Sequence, residues 1–357
     1  MVYCGVAGRG DHGRAILFVE TWRNQYRRTP MTPSQKTLRL VGVATGLVAL
    51  VTGCGSKPSA DRGKPAGLVV GFSQVGAESG WRTANTKSIK DEAEKRGITL
   101  KFSDAQGDQE NQIRAIRSFI QQKVDFIAFS PKTEDGWQSV LEEAKRAGIP
   151  VVLTDRAVKV ADSSLYVTFI GSDFIEEGRR AAQCLAERTN GKAVIAELQG
   201  TPGSAPAIDR KRGFEEALAR YPGMSIIKTQ SANFERAKGK EVIEAFLRSP
   251  EGPKITALFA HNDDMALGAI QAIEAAGKRP GDDFTVVSID GVRDAFQAML
   301  DGKIACSVEC NPLLGPQLFE VIAQLRRGET VPKRIVTEEG VFRQKDVTKE
   351  LIAARQY

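Results

Sequence analysis

The chain has 357 residues, 41% of them hydrophobic and 26% charged, with a formal net charge of +6. That length accommodates two domains of ordinary size. Residues 1–54 hold seven basic and two acidic side chains, so the 303 residues beyond them carry a surplus of only one positive charge, and a body so near neutrality offers no electrostatic footprint for nucleic acid.

Residues 1–30 fit neither a signal nor a domain and read as an uncertain extension or a misplaced start, since Met31 opens a normal leader. The pair Arg27-Arg28 runs into Thr29-Pro30, a poor match to a twin-arginine export signal. Lys36 and Arg39 then precede an apolar run over 40–53, and Cys54 closes it. The run is shorter than the roughly 20 apolar residues that span a bilayer. A basic start, a short apolar stretch, small residues and a terminal cysteine make the layout of a bacterial lipoprotein signal over 31–54, cut before Cys54 and lipidated there. Residues 55–65 read as a flexible polar linker. The protein is therefore expected in the periplasm or another extracytoplasmic space, held to a membrane only through its lipid.

From Gly67 onward short apolar runs alternate with amphipathic segments. Strands are predicted over 69–74, 98–103, 125–130 and 151–155, with helices over 81–96, 109–122 and 134–147. Gly97 and Gly148 follow two of these helices, where a left-handed residue ends the last turn. A second series follows, with helices over 174–188, 207–220, 235–247 and 263–276 and strands over 193–198, 224–229, 255–260 and 285–290. Continuous apolar strands between amphipathic helices indicate parallel sheets covered on both faces. Two such series predict an α/β protein of two doubly wound lobes. Cys184, Cys306 and Cys310 make no disulfide framework, so the core alone is expected to hold the fold. Cys306 and Cys310 have no histidine nearby and no metal site is expected.

In sheets of this kind ligands bind beyond the carboxyl ends of strands, and those exits are rich in polar residues. Glu78, Ser79, Gly80, Trp81 and Arg82 follow the first strand, Asp155-Arg156 the fourth, Asn262 the strand ending at 260, and Asp290 closes the last; Arg210 lies in the helix after 193–198. Three carboxylates (Glu78, Asp155, Asp290) stand against three guanidinium groups (Arg82, Arg156, Arg210), a balance that suits a neutral polyhydroxylated ligand. Sugar hydroxyls donate to carboxylates and accept from Arg and Asn, while Trp81 offers a flat apolar face. Each group also has a plain structural reading. Glu78 and Arg82 could be a surface pair, Asp155-Arg156 and Asp290-Gly291 turns, and Asn262 a helix cap. His261 reads as structural. The stretch 104–112 lacks the ligand spacing of a calcium loop, and Gly76 and Gly80 lack the spacing of a dinucleotide fingerprint.

Taken together, FSQVGAESGWR, LTDR, ELQGTPGSAPAIDRKRGF, AHNDDMALGAIQAI and SIDG resemble the periplasmic sugar-binding proteins of ABC importers, of the ribose/galactose type and most of all their galactofuranose-binding members. The resemblance covers about 66–357 and implies a type I periplasmic binding protein with a three-stranded hinge. One lobe would take 66–172 and 310–337, the other 173–309 and 338–357, with chain crossings near 172, 290–310 and 338. It implies that Glu78, Ser79, Gly80, Trp81, Arg82, Asp155 and Arg156 from one lobe and Arg210, Asn262 and Asp290 from the other hold the sugar. Phe234 would form a second aromatic wall and Glu309 a contact on the hinge side. Asn233 stands where the family commonly has Asp, and Pro206 is expected to open its helix as the first residue. A monomer that binds one monosaccharide, galactofuranose by closest resemblance, would pass it to a membrane permease with a separate ATPase and need no cofactor. Three rivals share parts of this pattern: a transcription repressor with the same core, a sensor presenting sugar to a chemoreceptor or kinase, and a glycosidase using Glu78 and Asp155. The export signal stands where a repressor carries its DNA-binding region, and the arginines would lower the pKa of a would-be general acid.

Overall fold

The computed structural model describes residues 67–357; the expected extension, lipoprotein signal with Cys54 and linker lie outside the described residues. The described residues begin with β1 (Val69–Gln74), α1 (Gly80–Lys95), β2 (Thr99–Asp104), α2 (Gln109–Gln121), β3 (Phe126–Phe129), α3 (Gln138–Arg146), β4 (Val151–Thr154) and β5 (Thr168–Gly171). It then builds a second lobe from α4 (Phe174–Thr189), β6 (Lys192–Gln199), α5 (Ala205–Leu218), β7 (Gly223–Ser231), α6 (Arg236–Arg248), β8 (Ala257–Ala260), α7 (Asp263–Ala275), β9 (Thr285–Asp290), α8 (Arg293–Leu300) and β10 (Cys306–Glu309). The chain returns to the first lobe for α9 (Gly315–Arg326) and β11 (Arg334–Val336), and ends in the second with β12 (Val341–Arg343) and α10 (Lys349–Ala354).

The two sheets have matching orders, β2-β1-β3-β4-β5-β11 and β7-β6-β8-β9-β10-β12. Every pairing is parallel except that of β10 with β12. The central strands β3, β4 and β8 are buried at every residue, as expected where helices cover both faces. In the first lobe Ile89, Leu318 and Phe319 cover one face of the sheet, and Ile116, Phe119 and Leu141 the other. The second lobe packs around Phe214, Phe259, Phe284 and Phe296. In both sheets the order reverses beside the first strand, and that places the carboxyl ends of β1, β4, β8 and β9 around one cleft.

Gly97 and Gly148 do take the left-handed conformation, at φ +64° and +70°. The helix expected from 134 begins only at Gln138. Its would-be first turn is used elsewhere: the Glu134 N–H donates to the Gly203 carbonyl of the other lobe at 2.9 Å, and the Trp137 indole N–H donates to the Thr133 carbonyl at 2.7 Å. Pro206 is the second residue of α5, not the first, after the N-cap Ser204. Strands β5, β11 and β12 have only three or four residues each, too short for periodicity to mark.

The chain passes between the lobes at 172–173, 310–314 and 337–340. Glu339 gathers these segments, because its Oε1 accepts from the hydroxyls of Ser172 and Thr337 and from the Asn311 N–H.

The cysteines overturn one expectation. Cys184 on α4 and Cys306 on β10 form a disulfide across 122 residues of sequence, leaving Cys310 free and buried. It joins the helix that follows the first crossing to the strand that precedes the second. Sequence alone missed it because the partners are brought together only by the sheet order. The double variant C184S/C306S is expected to lose about 3 kcal/mol of stability, read as an earlier urea midpoint for residues 55–357; an unchanged midpoint would show that the crosslink contributes nothing.

Candidate functional site

Between the lobes lies a cavity of about 290 Å³, lined by Glu78, Ser79, Trp81, Arg82, Asp155 and Arg156 from one side and by Pro206, Arg210, Phe234, Asn262, Asp290 and Cys310 from the other. Nine of the ten residues singled out from the sequence line it. The tenth, Gly80, does not line it and is exposed, its N–H directed to Asp264 at 2.8 Å. Glu309 does not line the cavity: its carboxylate pairs with Arg355 at 2.8 Å and accepts from Tyr357 and the Gly340 N–H.

The first wall is a buried charge network. Arg82 is the third residue of α1, after the Ser79 cap, whose hydroxyl accepts the Arg82 N–H at 3.1 Å. Its guanidinium meets Asp155 Oδ2 at 2.7 Å and Glu78 Oε1 at 3.1 Å, and donates to Gln74 and Ser130. Arg82 is 2% exposed, so the surface-pair reading of Glu78 and Arg82 does not hold. Burial works against the charge of Arg82, yet Asp155 and Glu78 more than offset it and hold its pKa above the ordinary value. Burial likewise opposes ionisation of Glu78 and Asp155, but Arg82 and then Arg156 hold both below the usual carboxylate range. Arg156 is pushed down to about 10, first by burial and then by Arg82, and remains cationic at neutral pH. Two buried atoms of this wall have no hydrogen-bond partner in the protein, Glu78 Oε2 and Arg156 Nε. One is an acceptor and the other a donor.

The second wall depends on a close helix crossing. A Cβ on Gly178 would fall 2.2 Å from the Arg210 carbonyl, and one on Gly213 1.9 Å from that of Ile175. That contact of α4 and α5 sets Arg210 against Glu177, at 2.7 Å, with its second nitrogen on the His261 carbonyl at 2.6 Å and a third 3.8 Å from Asp290. Glu177 is a fourth carboxylate that the sequence reading missed. It sits on the buried face of α4 with Phe174, Gly178, Ala181 and Ala182, and a charge on an apolar helical stripe is the signal that could have found it. Burial raises Asp290 well above its ordinary value, against the pull of Arg210.

Asp290 is positioned by Asp263, whose carboxylate accepts from Ser288, Ser307 and the N–H groups of Gly291 and Val292. Asn262 both caps α7, accepting the Met265 N–H at 3.0 Å, and donates to the Phe234 carbonyl at 3.2 Å. His261 is fully buried, with Nε2 3.1 Å from Glu197. Burial lowers its pKa, and its main-chain carbonyl accepts from Arg210.

Each lobe contributes one aromatic residue to the lining, Trp81 and Phe234. Trp81 donates its indole N–H to the Cys310 carbonyl at 2.6 Å, which ties α1 to the second crossing. Phe234 lies 5.3 Å below Arg156 of the other lobe. Asp155, Asn233, Phe234 and Asp290 all have positive φ, from +56° to +130°. Strained backbone gathered at one cleft marks positions where geometry is kept for function. A carboxylate pair held ionised by arginine has no proton to deliver as a general acid. Among the described residues, Glu177, Cys310 and Glu339 are the one group with metal-ligand chemistry, within 4.8 Å of one another. Arg210 already compensates Glu177, and Ser172, Thr337 and Asn311 occupy Glu339.

A family model for the periplasmic binding protein domain matches residues 70–330. The chain is 48% identical to the galactofuranose-binding protein YtfQ of Escherichia coli K12, over 79% of this chain and 90% of that one. It is similar to a Mycobacterium smegmatis structure in complex with β-D-fucofuranose, with 55% identity, a TM-score of 0.78 and coverage of 81% and 95%. It is also similar to the periplasmic component of the arabinose ABC transporter of Shewanella sp. ANA-3, bound to α- and β-L-arabinofuranose, with 52% identity, a TM-score of 0.79 and coverage of 81% and 96%.

Replacing Arg82 by Met leaves Glu78 and Asp155 buried without their main counter-ion. Removing one partner of such a network costs about 3–5 kcal/mol, so R82M is expected to unfold at markedly lower urea; a midpoint equal to that of the native chain would mean the network is solvated.

Proposed function

The chain belongs to the periplasmic binding protein family, and from that premise we propose that it captures one monosaccharide in furanose form, galactofuranose first among them, for an ABC importer. The observation that carries this is the cavity itself, lined from two lobes by three carboxylates, three guanidinium groups and one aromatic residue from each side. Glu78 Oε2 and Arg156 Nε, the latter 3.6 Å from Asp155, supply an acceptor and a donor with no hydrogen bond in the protein, and sugar hydroxyls can donate to the one and accept from the other. Trp81 and Phe234 take the C–H faces of the ring. Asp155 holds Arg82 and Arg156 in place, and Arg210, Asn262 and Asp290 complete the hydrogen bonds from the far wall. The furanose form follows proteins to which the chain is similar, whose ligands include fucofuranose and arabinofuranose.

Because residues of both lobes meet the sugar, the closed form binds it better than the open form, and the ligand shifts the equilibrium toward closure. The closed protein, a monomer, then docks on a membrane permease driven by a separate ATPase. It reaches that permease from a lipid on Cys54 through the linker over 55–65. No described helix is long and apolar enough to cross a membrane.

Calorimetric titration of residues 55–357 with galactose, L-arabinose, ribose and glucose, followed in parallel by tryptophan emission, tests the ligand. Saturable binding of galactose is expected, with methyl galactopyranoside, locked in the six-membered ring, giving no heat. Tighter binding of glucose or ribose would discard galactofuranose, and silence with every sugar would discard the function. For the anchor, the full chain is expected in the membrane fraction and C54S in the free extracytoplasmic fraction; equal partition of the two would rule out lipidation at Cys54.

A further inference from the structure

The helix that carries Glu78, Ser79, Trp81 and Arg82 into the cavity has no acidic residue of its own in its first turn. A helix N-terminus carries unpaired N–H groups and a partial positive charge. Ser79 satisfies the Arg82 N–H, but the N–H of Gly80 is met from the other lobe: Asp264, 184 residues away in sequence, accepts it at 2.8 Å. Asp264 is 5% exposed and does not line the cavity. Its second oxygen is held by Arg236 at 2.9 Å, and Arg236 in turn reaches Asp294 at 2.9 Å. The α6–α7 crossing fixes that arrangement, because a Cβ on Gly268 would fall 1.9 Å from the Arg236 carbonyl. The carboxylate is thus oriented within its own lobe before the other lobe arrives.

We propose that Asp264 is the latch of the closed form, a positioning residue that sets sugar affinity without touching the sugar. The inference rests on the sugar-binding reading above. In the open form water satisfies both the Gly80 N–H and Asp264; in the closed form each replaces water with the other, in a charge-assisted bond between the buried Asp264 carboxylate and the exposed Gly80 backbone. A contact present only in the closed form stabilises that form alone, and any ligand that requires closure gains the difference. The gain is the same for every sugar the cavity accepts. It appears in the rate of release, since the lobes must part for the sugar to leave.

The test compares residues 55–357 of the native chain and of D264A by stopped-flow tryptophan emission with two sugars, galactose and L-arabinose. D264A is expected to release both about tenfold faster, with association rates and the ratio of the two affinities unchanged. R236L, which leaves Asp264 in place but removes the group that orients it, is expected to give a smaller shift in the same direction and serves should D264A fail to fold. Unchanged release in these variants, or a shift confined to one sugar, would overturn the latch while leaving the sugar-binding reading intact. A native chain that binds no sugar overturns both.

Discussion

The structure is organised around the requirement that charges taken out of water be paired. Arg82, Arg156 and Arg210 are each at most 3% exposed, and buried guanidinium groups persist only with carboxylates and further acceptors around them. Meeting that requirement fixes the strand exits. Asp155 must turn back on Arg82 immediately after β4, and Asp290 must stop short of Arg210 at the end of β9. Both turns are reached through positive φ at a non-glycine residue. The pairing also governs the ligand chemistry, because walls whose charges largely satisfy each other favour an uncharged ligand with many hydroxyls over an anion or a cation.

The same network explains why the cleft can serve as a clamp. Each lobe completes its charge pairs internally: Arg82 with Asp155 and Glu78, Arg210 with Glu177 and Asp290. Opening therefore leaves no charge stranded. What crosses between the lobes is lighter, including the Asp264–Gly80 bond, the Glu134–Gly203 backbone bond and the Arg156–Phe234 contact. Stable lobes joined by a few modest contacts give two states whose balance a ligand can tip. The hinge supplies the register, since Trp81 and Asn85 of α1 bond to the carbonyls of Cys310 and Pro312.

Much of this was legible in the residues. Apolar runs such as FIAF and VVLT marked buried strands, and the polar residues just beyond them marked the cleft. Asn262 shows how two readings coexist, for it caps α7 and lines the cavity with the same side chain. The parts that were not legible depend on contacts between distant segments. The Cys184–Cys306 bridge follows from strand order, Glu309 turns to the chain end at Arg355 and Tyr357, and Pro206 and Cys310 look like ordinary core or turn residues until the lobes face each other. Asp264 reads in sequence as one of two acids in the first turn of its own helix, and only the closed arrangement of lobes reveals that it serves another.

A crystal structure of residues 55–357 grown with galactose tests the central claim most directly. The account predicts one five-membered ring between Trp81 and Phe234, with hydroxyls within hydrogen-bond distance of Glu78 Oε2 and Arg156 Nε and the lobes closed as described. A six-membered ring in the cleft, or a sugar held by one lobe with Arg156 and Glu78 unengaged, would contradict it.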